Sequence, residues 1–176
     1  MRFYSTKGNA ISVGFKDALF HGLAPDGGLY MPETIPHLGI DFFKSDLSYP
    51  ELAAGMIHSF TKDDLSHARL TDICESAFDF PLRIKELNKT DSVLELFHGP
   101  TFAFKDFAAR FMARTISYFL ENKDDELTIL VATSGDTGSA VANGFFNVDG
   151  INVIILYPSN RVSAIQEKQL TTLGGN

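Results

Sequence analysis

Two nearly continuous apolar runs in the second half of the chain, Leu127 to Ala132 and Ile151 to Tyr157, constrain the fold more than any other feature. Each lacks the polar alternation of a half-solvated strand and is shorter than a helix needs, so each reads as a strand covered on both faces. Val93 to Phe97 reads as a third, short buried strand. Between and after these runs lie helical patterns. Ala108, Phe111, Met112, Thr115, Ile116 and Phe119 keep one face apolar, with Arg110 and Arg114 on another. A short helix is expected around Ser139 to Phe146 and another over Val162 to Leu173, with Gly174-Gly175 as its stop. Strand and helix alternate three times, which calls for an α/β fold with a parallel sheet and right-handed crossovers. Three strands make a thin sheet, and the chain reaches Asn176 where a fourth strand is expected, so the sheet reads as cut short.

The first half carries helix signals separated by loops. Phe15, Ala18 and Leu19 have helical spacing, with Gly22 as a stop before the turn Pro25-Asp26-Gly27-Gly28. Ser48 and Glu51 have capping-box spacing, Pro50 is tolerated in a first turn, and Leu52, Ala53, Met56, Ile57 and Phe60 form an apolar stripe. Leu70, Ile73, Cys74 and Ala77 repeat the pattern before Pro81. The expected organisation is a mainly helical domain over residues 1–92 and the first part of an α/β domain over residues 93–176.

Composition sets limits on function. A chain that is 44% apolar has the balance of a globular protein. Fifteen basic against 22 acidic residues give a net charge of −7, a field that repels nucleic acids, so an anionic substrate needs a local positive site. Cys74 is the single cysteine, which excludes an intramolecular disulfide and a cysteine-based metal cluster and suits a reducing compartment. Met1 to Ser12 has no apolar run of a secretory signal, and no apolar stretch is long enough for a bilayer span. A cytoplasmic protein without membrane or nucleic-acid partners and without a metal is expected; oligomeric state is left open.

Ligands of open parallel sheets bind beyond the carboxyl ends of the strands, which directs attention to His98 to Lys105 and Thr133 to Gly138. The second segment leaves a strand and enters a helix, so its N–H groups and hydroxyls suit a carboxylate or phosphate at the positive end of the helix dipole. It matches neither the dinucleotide glycine pattern nor the phosphate loop that needs a lysine after its last glycine. A tight turn with Thr133 or Ser134 capping the helix explains the same residues. Lys105 stands where the first loop becomes a helix, against the dipole's preference for negative charge. Phe102, Ala103, Phe104 and Phe107 would supply an apolar pocket that favours a neutral, nucleophilic amine, while an ordinary surface lysine is the plainer reading. Asp106 is read as a first-turn acid of the capping kind.

Four separated strings resemble one family in family order. They are Gly22-Leu23-Ala24-Pro25-Asp26-Gly27-Gly28-Leu29-Tyr30-Met31-Pro32, Leu96 to Asp106 (LFHGPTFAFKD), Ala132 to Ala140 (ATSGDTGSA), and Tyr157-Pro158 with Val162-Ser163 and Gln166-Glu167. The chain resembles the N-terminal portion of a threonine synthase, a pyridoxal 5'-phosphate enzyme of the tryptophan synthase β-like fold. The resemblance implies that Lys105 holds the cofactor as a Schiff base and serves as mobile acid and base while O-phospho-L-homoserine and water become L-threonine and phosphate. It implies Phe104, Asp136 and Thr137 near the cofactor, and Ser134, Gly135, Thr137 and Gly138 around the substrate carboxylate. Many relatives of other specificity carry asparagine where Asp136 stands.

Two departures qualify that expectation. The family is much longer than 176 residues, and its cofactor-phosphate loop and pyridine-nitrogen partner belong to the portion beyond this segment, so the segment by itself is expected to bind cofactor weakly and to be inactive. Ser159-Asn160-Arg161 ends in arginine where lysine is expected; Arg161 and Ser163 suit the substrate phosphate, and a solvated loop explains them equally. A threonine synthase-like phospholyase, which leaves a keto acid, and a non-catalytic module are the alternative functions.

Overall fold

The computed structural model describes residues 1–121 and 126–175. The chain divides into two compact units, Met1–Glu75 and Ser76–Asn176. In the first, β1 (Phe3–Ser5) pairs antiparallel with β2 (Tyr30–Pro32), and between them lies α1 (Phe15–His21), closed by Gly22 at φ +68°. Then follow α2 (Ile40–Phe43), α3 (Tyr49–Thr61) and α4 (His67–Ala77), the last running two residues past the division. The capping box is formed: the Ser48 N–H donates to Glu51 Oε2 at 2.8 Å and the Ser48 hydroxyl to the same oxygen at 2.6 Å. The α4 stripe is buried as its spacing implies, with Leu70, Cys74 and Ala77 at 0% exposure. The α3 stripe is looser, because Met56 is exposed and the buried positions are Ala54 and Thr61, outside the expected stripe. The two short strands were not legible in the sequence, since three residues carry no alternation to read.

The second unit opens with an antiparallel hairpin, β3 (Arg83–Glu86) and β4 (Ser92–Glu95), in the register Arg83↔Glu95 to Glu86↔Ser92. This corrects the reading of Val93 to Phe97. The strand neither joins the parallel sheet nor is buried: Val93 and Leu94 are 43% and 50% exposed. Its partner is close in sequence, so little chain entropy is lost in closing the hairpin, and Asn88 Oδ1 stabilises the turn by accepting from the N–H groups of Thr90 and Asp91. The change of character read at 92/93 falls within β4 and thus inside the second unit.

Next come α5 (Lys105–Leu120), β5 (Leu127–Ala132), α6 (Asp136–Gly144), β6 (Ile151–Leu156) and α7 (Ala164–Thr171). β5 and β6 are the parallel pair, in register from Leu127↔Ile151 to Ala132↔Leu156. Only one face is covered. Val153 and Ile155 line a cavity of about 230 Å³ with Ala142 and Phe146 after β5 and Leu170 of α7. On the opposite face Leu130, Ile154 and Leu156 are 64%, 50% and 55% exposed, so strands expected to be covered on both sides are covered on one. Of the expected α5 stripe Thr115, Ile116 and Phe119 are buried, while its first half shifts from Ala108, Phe111 and Met112 onto Ala109 and Ala113. Small residues there let α6 approach closely: a Cβ on Gly144 would lie 3.0 Å from the Ala109 carbonyl carbon. No helix among the described residues is long and apolar enough to cross a membrane.

Candidate active site

Lys105 is the first residue of α5, preceded by Phe104. Its side chain is half-buried, with Nζ 4.4 Å from the centre of the Phe104 ring, a cation–π distance. The expected apolar pocket around it does not form. Phe102 and Phe104 are 75% and 60% exposed, and Phe107 is engaged elsewhere, 4.8 Å from the Phe80 ring and 6.0 Å from Phe78. Of the four residues only Ala103 is buried.

The loop before Lys105 is held by Asp106. The carboxylate is 1% exposed, accepts the Thr101 N–H at 2.9 Å and also accepts the Thr101 hydroxyl. Gly99 passes against it, where a Cβ would lie 2.5 Å from Oδ2. Just before the loop, His98 Nε2 is 2.7 Å from Glu95 Oε2. Arg110 and Arg114 stay within the fabric of the unit. Arg110 donates to the carbonyls of Ala77 at 2.8 Å and Ser76 at 3.0 Å and to Asp79 at 2.6 Å, and Arg114 donates to the Ser76 hydroxyl at 2.9 Å. Neither is left to serve as an anion receptor at the loop.

The turn into α6 combines both readings of its residues. Thr133 is the capping group: its hydroxyl accepts the N–H groups of Gly135 and Gly138, each at 3.1 Å. Gly138 must be glycine, since a Cβ would lie 2.3 Å from Thr133 Cγ2. With Thr133 used in this way, Ser134, Asp136 and Thr137 remain exposed at the positive end of α6. Asp136 is oriented from α7: its Oδ1 accepts Gln166 Nε2 at 2.9 Å. Gln166 is fixed in turn by a capping box, its Oε1 accepting the Ser163 N–H at 3.2 Å and the Ser163 hydroxyl at 3.1 Å. The loop before Lys105 faces α6 and α7, since Pro100 and Thr101 share a cavity of about 360 Å³ with Ser139, Asn143 and Lys168.

Known proteins share this fold. The family model described as threonine synthase N terminus matches residues 2–78. Threonine synthase of Haemophilus influenzae is 42% identical over 176 residues, covering 100% of this chain and 41% of that protein, and the one of Pseudomonas aeruginosa is 40% identical, covering 100% and 39%. A crystal structure described as PLP-bound threonine synthase from Brucella melitensis superposes with a TM-score of 0.90 at 38% identity, covering 96% of this chain and 38% of that one. Over its whole length the chain is similar to the N-terminal part of threonine synthases. It spans about two fifths of the length of the threonine synthases it matches. The threonine synthase from yeast agrees in fold, with a TM-score of 0.86 at 34% identity over 97% of this chain.

The residues singled out by sequence fall into two groups. Lys105 and Phe104 open α5; Ser134, Gly135, Asp136, Thr137 and Gly138 form the turn into α6, which packs on α5. Ser163 is a helix cap whose hydroxyl is tied to Gln166, and Arg161 is exposed in the preceding loop. Sequence reasoning missed the roles of Thr101, Asp106 and Gln166. The Ser163-x-x-Gln166 spacing announces a capping box, but nothing local announces that the same amide reaches Asp136, 30 positions away.

Proposed function

We propose that this chain furnishes the cofactor lysine and the carboxylate-binding turn of a cytoplasmic threonine synthase that converts O-phospho-L-homoserine and water to L-threonine and phosphate. The observation that carries the reading is Lys105, half-exposed at the start of α5, on a helix packed against the one whose first turn presents exposed hydroxyls. It occurs in a family with a member described as PLP-bound.

The residues present fit pyridoxal phosphate. Lys105 Nζ is accessible to an aldehyde, Phe104 offers an aromatic face beside it, and Asp136 is held by Gln166 rather than left to rotate. When bound, the cofactor supplies the electron sink for charge left on the substrate's α- and β-carbons. The chain's own part is binding and proton movement. Lys105 Nζ accepts and returns protons at those carbons. The N–H groups and hydroxyls of Ser134, Gly135, Thr137 and Gly138, at the positive end of α6, receive the substrate carboxylate. The guanidinium of Arg161, with Ser163, meets the substrate phosphate, for which its planar fork is suited.

Borohydride reduction of the full-length protein that contains this segment, with pyridoxal phosphate, followed by peptide mass analysis, tests the reading. A phosphopyridoxyl mass on the Lys105 peptide is expected; a folded protein with Lys105 unmodified sinks it. Threonine as product, rather than 2-oxobutanoate with ammonia, separates a synthase from a phospholyase.

A further inference from the structure

Asp106 is more deeply buried than its place in a first helical turn requires. The helix dipole and the free N–H groups of a first turn are served by an exposed carboxylate, which keeps its hydration. Here the side chain is 1% exposed, and a buried carboxylate must find partners within the protein. Both that it finds belong to Thr101, the N–H at 2.9 Å and the hydroxyl. The contact spans five positions and closes the loop onto the helix start. Gly99 completes the closure, since a Cβ there would lie 2.8 Å from Asp106 Cβ and 2.5 Å from Oδ2. Inside this ring the Phe102 N–H donates to the Gly99 carbonyl at 3.1 Å, and Phe102 takes φ +60°, in the left-handed region where an aromatic residue rarely sits. Ala103 is buried, and its carbonyl accepts the Asp106 N–H at 3.0 Å.

We propose that Asp106, acting through Thr101, is the positioning residue for Lys105. Among the described residues the Lys105 amine makes one contact of note, with the Phe104 ring, and no hydrogen bond there fixes its course. Its backbone is fixed instead from both sides, by buried Ala103 before it and by buried Asp106 after it. The Asp106 carboxylate holds the turn Gly99 to Phe104, and that turn sets where α5 begins and therefore where the lysine leaves the backbone. The inference rests on the reading of Lys105 as the cofactor lysine.

The test follows the rate at which Lys105 of the full-length protein that contains this segment is modified by pyridoxal phosphate and borohydride, read by peptide mass, in the original protein and in Asp106→Asn, Thr101→Val and Thr101→Ser. Asp106→Asn and Thr101→Val are expected to slow modification at Lys105 by about tenfold, the loss that follows from removing a hydrogen bond to a charged group. Hydrogen exchange at the Thr101 amide is expected to accelerate in Asp106→Asn, while Thr101→Ser, which keeps the hydroxyl, restores the original rate of modification. If Asp106→Asn does not fold, the Thr101 pair decides, because it leaves the carboxylate in place. Equal rates in Thr101→Val, Thr101→Ser and the original overturn the proposal, as does equal slowing in both Thr101 variants. A folded original chain with Lys105 unmodified overturns the cofactor reading and this role together, whereas Lys105 modified equally fast in folded Asp106→Asn overturns the positioning role and leaves the cofactor reading standing.

Discussion

Cys74 and Asp26 show how environment decides what a residue of a given type can do. Cys74 has no exposed surface, and burial pushes its thiol up to about 11. Almost no thiolate is then present at neutral pH, so the folded chain should react slowly with a disulfide reagent at pH 8 and rapidly once unfolded in urea. Fast labelling of the folded chain would contradict the burial. Asp26 is the opposite case. The Ser5 hydroxyl chiefly holds its carboxyl below the usual range, opposed by desolvation and assisted by the N–H groups of Gly28 and Asn9. A folded value below the unfolded one means that its contribution to stability is present above the unfolded value and is lost as pH falls through the folded one. Asp26→Asn should therefore lower the urea midpoint at pH 7 and matter less near pH 3, and equal effects at the two values would rule out the carboxylate's role. The sequence reading of Pro25-Asp26-Gly27-Gly28 as a turn holds at Ala24 to Gly28, where Gly27 has φ +76°. What it lacked was Ser5, 21 positions earlier, because a side-chain bond of that span obeys no local rule.

Among the elements, helix ends were the most legible part because capping is written within four residues. Ser48 and Glu51 were read correctly, and Ser48→Ala is expected to cost about 1 kcal/mol in a denaturant melt. Partnership between strands was less legible. The apolar run at Val93 is a real strand, but its pairing is chosen by loop closure and by the turn at Asn88, neither of which its composition announces. Helix facing was intermediate. The stripe through Phe111 and Met112 predicts a helix, yet close packing selects the side carrying Ala109 and Ala113, because small residues permit the nearest approach. Gly144 is the matching position on α6, 3.1 Å from Ala109 Cβ when given a Cβ of its own. Since the nearest atom is backbone, the contact cannot be relieved by turning a side chain. Gly144→Ala should destabilise the second unit by about 1–3 kcal/mol, the usual cost of overpacking, despite alanine's better helix propensity. A neutral or stabilising result would show that the two helices are not in the close contact described.

At the scale of the whole chain, the candidate site was legible because its motifs are contiguous, and so was the unfinished sheet, but not which of its faces is bare. Leu127 to Ala132 and Ile151 to Leu156 read as fully covered strands since nearly every position is apolar, and a sequence without alternation cannot say which face is bare. In the structure Leu130 and Ile154 are register partners, and Leu156 continues the same side one pleat further on. All three are half or more exposed and form a contiguous apolar patch, larger than scattered surface leucines would make. The covered side is built from Val153, Ile155 and the fully buried Phe145 and Ile151, so the unit does not depend on the bare side for its own packing. Two consequences follow for the 176-residue chain in solution. It should enhance the fluorescence of an apolar-surface dye while its circular dichroism still shows native helix, and Leu130→Lys combined with Ile154→Lys should remove most of that enhancement with little change in the melt. If the double variant instead unfolds the chain, the face is packed rather than open, and the division of the sheet into a covered and an uncovered side fails.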